Sequence, residues 1–202
     1  MLYICGMKRD FLSSILAGIC ISLGGFVNLV VGGVAGAVLF SFGLLTVVHY
    51  GFRLYTGYIG FMEIRKDFNR SLLILGGNVL GCLLVALLAR VSPFGLCEKA
   101  SALALGRLST GSLQCGALAI GCGFIVTAAV KYGREGKWLP LLFGVPCFIL
   151  CGFPHCIADA FYYLCVPFNF WGARLVSILA TWFCIVAGNF IGCNLCRWIL
   201  KD

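Results

Sequence analysis

Cys151-Gly152-Phe153-Pro154-His155-Cys156-Ile157-Ala158-Asp159 lies in the middle of an apolar segment, and its reading decides the fold. Pro154 has no amide proton to give to a helix ladder, and Gly152 tolerates backbone angles that other residues do not. An imidazole and a carboxylate are costly at bilayer depth. A helix interrupted there persists only where its freed backbone groups face protein or a wet cavity. His155 sits in the interruption and can carry a proton at ordinary pH. Two descriptions fit these residues: a kinked helix with a hydrogen-bonded core histidine, or a functional site.

Outward from this stretch the chain is apolar almost throughout. Hydrophobic residues make up 61% of the 202 and charged residues 11%, and mean hydropathy is +1.04. Soluble domains carry about 25% charged residues, so an integral, all-α membrane protein is predicted. The first apolar run, from Phe11, is long enough to span and has no clear small-residue cleavage site. Most of the 13 cysteines lie inside apolar runs, as in Cys147/Cys151 and Cys115/Cys122, where cysteine acts as a small hydrophobe. Cys193-Asn-Leu-Cys196 has metal or redox spacing but stands without a second pair, so a structural role is expected, with no metal and no cofactor. A net charge of +8 could suggest nucleic acid in a soluble protein; here its placement matters instead, and no nucleic-acid partner is expected.

Six spans can be read in order. After a basic lead with Lys8 and Arg9, spans cover about 11–33, 36–62, 71–91, 111–130, 138–166 and 174–198. The second contains Gly51-Phe52-Arg53-Leu54-Tyr55-Thr56-Gly57, where two glycines bracket an arginine and mark a second break. The connection 92–110 is more polar, with Glu98, Lys99 and Arg107. With the N-terminus inside, Lys8, Arg9, Arg65, Lys66, Arg70, Lys131, Arg134, Lys137, Arg197 and Lys201 share the cytoplasmic side, ten of 15 basic residues. The positive-inside rule then places both termini of this multi-pass protein in the cytoplasm, with the chain in the plasma (inner) membrane.

The halves, about 11–91 and 111–198, repeat within one channel domain covering 1–202. Span three carries Gly77-Asn78-x-x-Gly81 and span six carries Gly188-Asn189-x-x-Gly192, each after a broken span. Three spans per half require the second half to insert upside down. Such an inverted 3+3 repeat places a transport site where its two breaks meet.

The motifs Leu16-Ala17-Gly18, Phe40-Ser41-x-Gly43-Leu44, Gly51-x-x-Leu54-Tyr55-Thr56-Gly57, Gly77-Asn78, Gly152-Phe153-x-His155-x-Ile157-Ala158 and Gly188-Asn189-x-Ile191-Gly192 run through the chain in this order. Together they resemble the formate/nitrite transporter family. The resemblance implies an aquaporin-like six-helix protomer with broken second and fifth helices, a homopentamer with one pore per protomer, and small monovalent anions such as formate, nitrite or hydrosulfide as permeants. By motif, Thr56 matches the threonine of the loop breaking the second helix, and His155 the central pore histidine it faces. Leu44, Leu54, Tyr55 and Ala119 match the inner apolar constriction; Phe40 and Phe148 match the outer one, although ordinary core packing would also place Phe40, Phe148 and Leu44 inside. The chain departs from the family in carrying Arg53 for an acidic residue, Pro154 for a glutamate and Asp159 for an asparagine. It has Cys115-Gly116 for a Cys-Asn pair, and either Lys99 or Arg107 stands for the usual basic residue.

Desolvating an anion between apolar rings is very costly, and protonation removes most of that cost. A passive or proton-linked anion channel is therefore expected, with the anion, the proton and the lipid bilayer as partners. Arg53 either draws anions to the vestibule or pairs with Asp159. The alternative is a neutral-solute pore or a structural membrane protein on the same fold. A membrane enzyme using His155 and Asp159 lacks a nucleophile or a second ligand cluster, so no enzymatic activity is expected.

Overall fold

In the computed structural model residues 2–200 are described; Lys201, counted above on the basic side, lies outside them, as does the side chain of Arg65. The described residues form helices only: α1 (Leu2–Val31), α2 (Gly33–Tyr50), α3 (Tyr55–Ile59), α4 (Ile64–Arg90), α5 (Leu96–Thr110), α6 (Ser112–Arg134), α7 (Leu139–Leu150), α8 (Cys156–Cys165), α9 (Phe168–Trp171) and α10 (Leu175–Leu200). A 3-10 turn, Gly172–Arg174, joins the last two.

Helix boundaries exceed the apolar runs. The basic lead is part of α1, and α4 starts inside the charged link. The connection 92–110 is mostly α5, because alanines and leucines at 96–108 are strong helix formers despite Glu98, Lys99 and Arg107. Its buried residues, Leu96, Ala100 and Ala104, recur every fourth position and dock one face.

Among the described residues five helical stretches are long and apolar enough to cross a bilayer, while α7 and α8 are shorter. The 12 residues of α7 rise only about 18 Å, against about 30 Å of hydrocarbon. The two short helices therefore run in series. The packing is that of a protein whose solvent is lipid: Leu72, Leu84, Phe143 and Val176 are exposed, whereas Ser14, Asn78, Thr56 and Asn189 are buried.

Both interruptions are built alike. Helix α2 ends as Gly51 turns left-handed (φ 66°), and α7 as Gly152 does the same (φ 70°), a conformation that favours glycine. The amide of Phe52 donates to Val47 O and that of Phe153 to Phe148 O, each at 2.9 Å. One asparagine then holds each restart. Asn78 on α4 accepts from the Tyr55 amide (2.8 Å) and donates to the carbonyls of Ser14 (2.7 Å) and Arg53 (2.9 Å). Asn189 on α10 accepts from the Cys156 amide (2.8 Å) and donates to the carbonyls of Ala119 (2.8 Å) and Pro154 (3.1 Å).

The asparagines reach these groups because the backbones touch. A Cβ on Gly81 would run into the Ile15 carbonyl, and one on Gly192 into the Ile120 carbonyl, so α4 lies directly on α1 and α10 directly on α6. The halves also cross. Helix α8 packs on α4 and α3 on α10. The Cys82 thiol donates to Ile157 O and the Cys193 thiol to Thr56 O, each at 3.4 Å.

Asn189→Ala leaves the buried Cys156 amide and the Pro154 carbonyl without partners. A loss of about 3 kcal/mol or more is expected, at about 1–3 kcal/mol per unsatisfied group. It is measured as a lowered melting temperature and a broadened size-exclusion peak in mild detergent; Asn78→Ala should behave alike.

Candidate functional site

The restarted helices meet at their beginnings. Thr56 is the second residue of α3, and His155 is the N-cap of α8. Thr56 Oγ1 lies 3.0 Å from His155 Nε2, and both residues are almost fully buried. The backbone assigns the imidazole tautomer. His155 Nδ1 accepts from the Ala158 amide at 3.3 Å, so in the neutral ring the proton resides on Nε2 and is donated to Thr56. The His155 amide is itself held by Asp159 Oδ2 at 2.9 Å, which stops the ring's backbone from drifting.

Apolar layers flank this polar contact. Phe148 stacks on the His155 ring with centroids 5.6 Å apart, and Phe40 meets Phe148 edge-on at 6.3 Å. Leu44, Leu54, Tyr55 and Ala119 are likewise buried. A cavity of about 230 Å³ approaches from one side; Leu54 lines it, with Val47, Val130, Arg53 and Arg134. A cavity of about 110 Å³ approaches from the other, lined by Phe40, Phe148, His155, Arg107, Asp159 and Tyr162. Phe40, Leu54, Thr56, Phe148 and His155 thus lie between or on the walls of two cavities.

Of the two alternatives for Arg53, the ion pair with Asp159 does not form. Asp159 Oδ1 takes the Arg107 guanidinium at 2.8 Å, and Arg107 also donates to Gly152 O at 2.7 Å. Arg53 does not reach Asp159. It pairs with Asp10 at 2.9 Å, a carboxylate it shares with Arg70 at 2.5 Å, while still lining the larger cavity. The reason is topological: Arg53 and Asp159 lie beside different cavities, with the Thr56–His155 contact between them. Of the two basic residues considered near the fourth helix, Arg107 lines the smaller cavity, and Lys99 instead donates to Val30 O.

Sequence reasoning missed several functional side chains. The Gly-Asn recurrence pointed to Asn78 and Asn189, but not to their task of holding the breaks. Arg134, in the sequence one of ten basic residues on the cytoplasmic side, lines the larger cavity and donates to Gly57 O at 2.8 Å. Arg197 donates to Met62 O, and Arg90 to Leu164 O and Val166 O. These arginines satisfy carbonyls at and just beyond the ends of the short helices, where the dipole is negative. Cys193 is buried and Cys196 exposed, and no cluster of three or more metal-ligating side chains occurs among the described residues.

Comparison with known proteins bears on the family and the fold. The family model described as formate/nitrite transporter matches residues 5–201. YrhG of Bacillus subtilis (strain 168), described as an uncharacterized transporter, is 31% identical over 181 residues, covering 78% of this chain. The match spans 66% of that relative, just under two thirds of its length. Among solved structures, a pentameric formate channel with formate bound superposes with a TM-score of 0.81 at 23% identity, covering 97% of this chain and 96% of its own. An FNT family ion channel gives a TM-score of 0.79 at 18% identity, covering 100% and 93%. These two share the fold.

Removing Arg107 strands the buried Asp159 carboxylate. Arg107→Ala should cost about 3 kcal/mol, the lower end for breaking a buried pair. Adding Asp159→Asn, which keeps an oxygen for the His155 amide, should restore most of it. A thermal double-mutant cycle in detergent measures this; additive losses would show that the pair is uncoupled.

Proposed function

The chain belongs to the formate/nitrite transporter family, and on that premise we propose that it is a channel for small monovalent anions of the formate, nitrite or hydrosulfide class. The path runs through each protomer, from the Arg53/Arg134 cavity past Leu54, Thr56 and His155 to the Arg107 cavity. The observation that carries this reading is the Thr56–His155 hydrogen bond buried between two apolar layers. A structural core would gain little from a polar pair there, whereas a permeating anion needs one donor where it has shed its water.

His155 serves first as a directed hydrogen-bond donor. Its Nε2–H points at Thr56, and an arriving anion takes the place of the hydroxyl oxygen. The N-terminal end of α8 adds partial positive charge at the same point. Full proton transfer requires the imidazolium, which forms once Nδ1 gives up the Ala158 amide and takes a proton. The anion then crosses the apolar layers as its neutral acid, and flux is linked to protons. Leu44, Tyr55, Ala119, Phe40 and Phe148 act as the size filter, and Arg53, Arg107 and Arg134 concentrate anions at the two mouths.

Six spans in an inverted repeat are supported by the matched asparagine clamps and by the crossed thiol contacts. A homopentamer is supported by the fold shared with a pentameric formate channel. Cytoplasmic termini are supported by the basic end: Asp10 ties α1 to Arg53 and Arg70, and Arg134 and Arg197 reach the segment after α3 or α3 itself.

His155→Phe keeps a flat ring and removes both the donor and the exchangeable proton. In proteoliposomes, formate uptake at mildly acidic pH should fall about tenfold, the worth of one hydrogen bond to a charged group, and its pH dependence should flatten. His155→Asn keeps a donor without a titratable proton; it should retain more flux with an equally flat pH profile. Unchanged flux and pH response in both variants would leave His155 as a packing residue.

A further inference from the structure

We propose that an acidic phospholipid seats its headgroup in the cleft between the start of α1 and the end of α2, where it contacts Lys8, Arg9 and Arg53. The cleft, about 720 Å³, is lined by Lys8, Arg9, Arg53 and Arg70. Its one lining carboxylate, Asp10, is buried and already shared by Arg53 and Arg70. Asp67 and Glu63 lie on the α4 side, where Asp67 caps the Glu63 amide and Glu63 pairs with Lys66. Lys8 and Arg9 are exposed and have no carboxylate partner among the described residues. Positive charge is therefore in excess.

The wall below the charges identifies the occupant. Leu12 and Leu16, one and two turns along α1 from Lys8, line the same cleft and are 51% and 44% exposed. A cationic rim above exposed leucines matches a molecule with an anionic head and an acyl tail; a free inorganic anion would use the rim alone. Basic pockets between helices on the cytoplasmic face recognise lipid headgroups by this chemistry. On the cytoplasmic topology proposed above, this cleft opens at the anionic leaflet.

The cleft adjoins the path. Gly51, Phe52 and Arg53 line both it and the cavity that ends at Leu54. A headgroup phosphate beside Arg53 lowers the positive potential at that mouth and slows anion entry, so lipid composition sets conductance.

Full-length protein in phosphatidylcholine nanodiscs, with and without phosphatidylglycerol, tests the site by native mass spectrometry and thermal melting. Phosphatidylglycerol should be retained and should raise the melting temperature. Lys8→Gln/Arg9→Gln should weaken retention about tenfold or more, at roughly the worth of two basic residues near an anionic headgroup. Leu12→Asn/Leu16→Asn, both at exposed positions, should weaken it too. Flux of wild type should drop when phosphatidylglycerol is added to vesicles, and by less in Lys8→Gln/Arg9→Gln, which separates the site from general surface potential. Equal retention in wild type and both variants would overturn the proposal. So would stabilisation by free inorganic phosphate equal to that by phosphatidylglycerol, which would assign the rim to a soluble anion. Retention that depends on these residues in a protein without anion flux would uphold the lipid site and refute the channel reading.

Discussion

Two asparagines hold the interior of this molecule together. A backbone freed from helix at bilayer depth has no water to bond, so each interrupted helix needs a polar partner supplied by protein. Asn78 and Asn189 have the required inventory, one acceptor and two donors on a short stem. Each joins the amide that restarts a short helix, the carbonyl two residues before it and a carbonyl of a neighbouring helix. The close helix contacts at Gly81 and Gly192 serve this purpose, since a side chain there would push the asparagine's helix away from its targets.

The site is a consequence of those clamps. Because the two restarts are held at their first residues, the beginnings of α3 and α8 face one another, and Thr56 and His155 fall within hydrogen-bonding distance. Phe148 stacks on the imidazole and Phe40 meets Phe148 edge-on. Charge flanks the contact on both sides: the Arg107–Asp159 pair shares one cavity with His155, and Arg53 and Arg134 border the other.

Arginine does a second job at the ends of the short helices. Carbonyls at or just beyond the ends of α3 and α8 are met by Arg134, Arg197 and Arg90. Arg134 and Arg197 therefore also belong to the basic end from which membrane orientation is read, while Arg90, at the other end of α4, serves α8. Arg53 is joined to α1 through Asp10 while lining both the larger cavity and the cleft beside it.

Much of this was legible in the chain itself. Hydropathy and low charge determine a helical membrane protein, because a backbone in lipid has few ways to satisfy its polar groups. Gly51 and Gly152-Phe-Pro154 mark where helices stop, since proline lacks a donor and glycine accepts a left-handed turn. The recurring Gly-Asn-x-x-Gly relates the halves. That 92–110 is helix α5 is not legible from its polarity, because local propensity and a docking face outweigh its charges. Nor could the sequence choose the partner of Asp159. Both Arg53 and Arg107 carry the same charge, and ion pairing depends on a few ångströms of separation that are set only once α5 packs on α8 and α1 on α4. Residue types declare what must be satisfied; three-dimensional packing alone decides by whom.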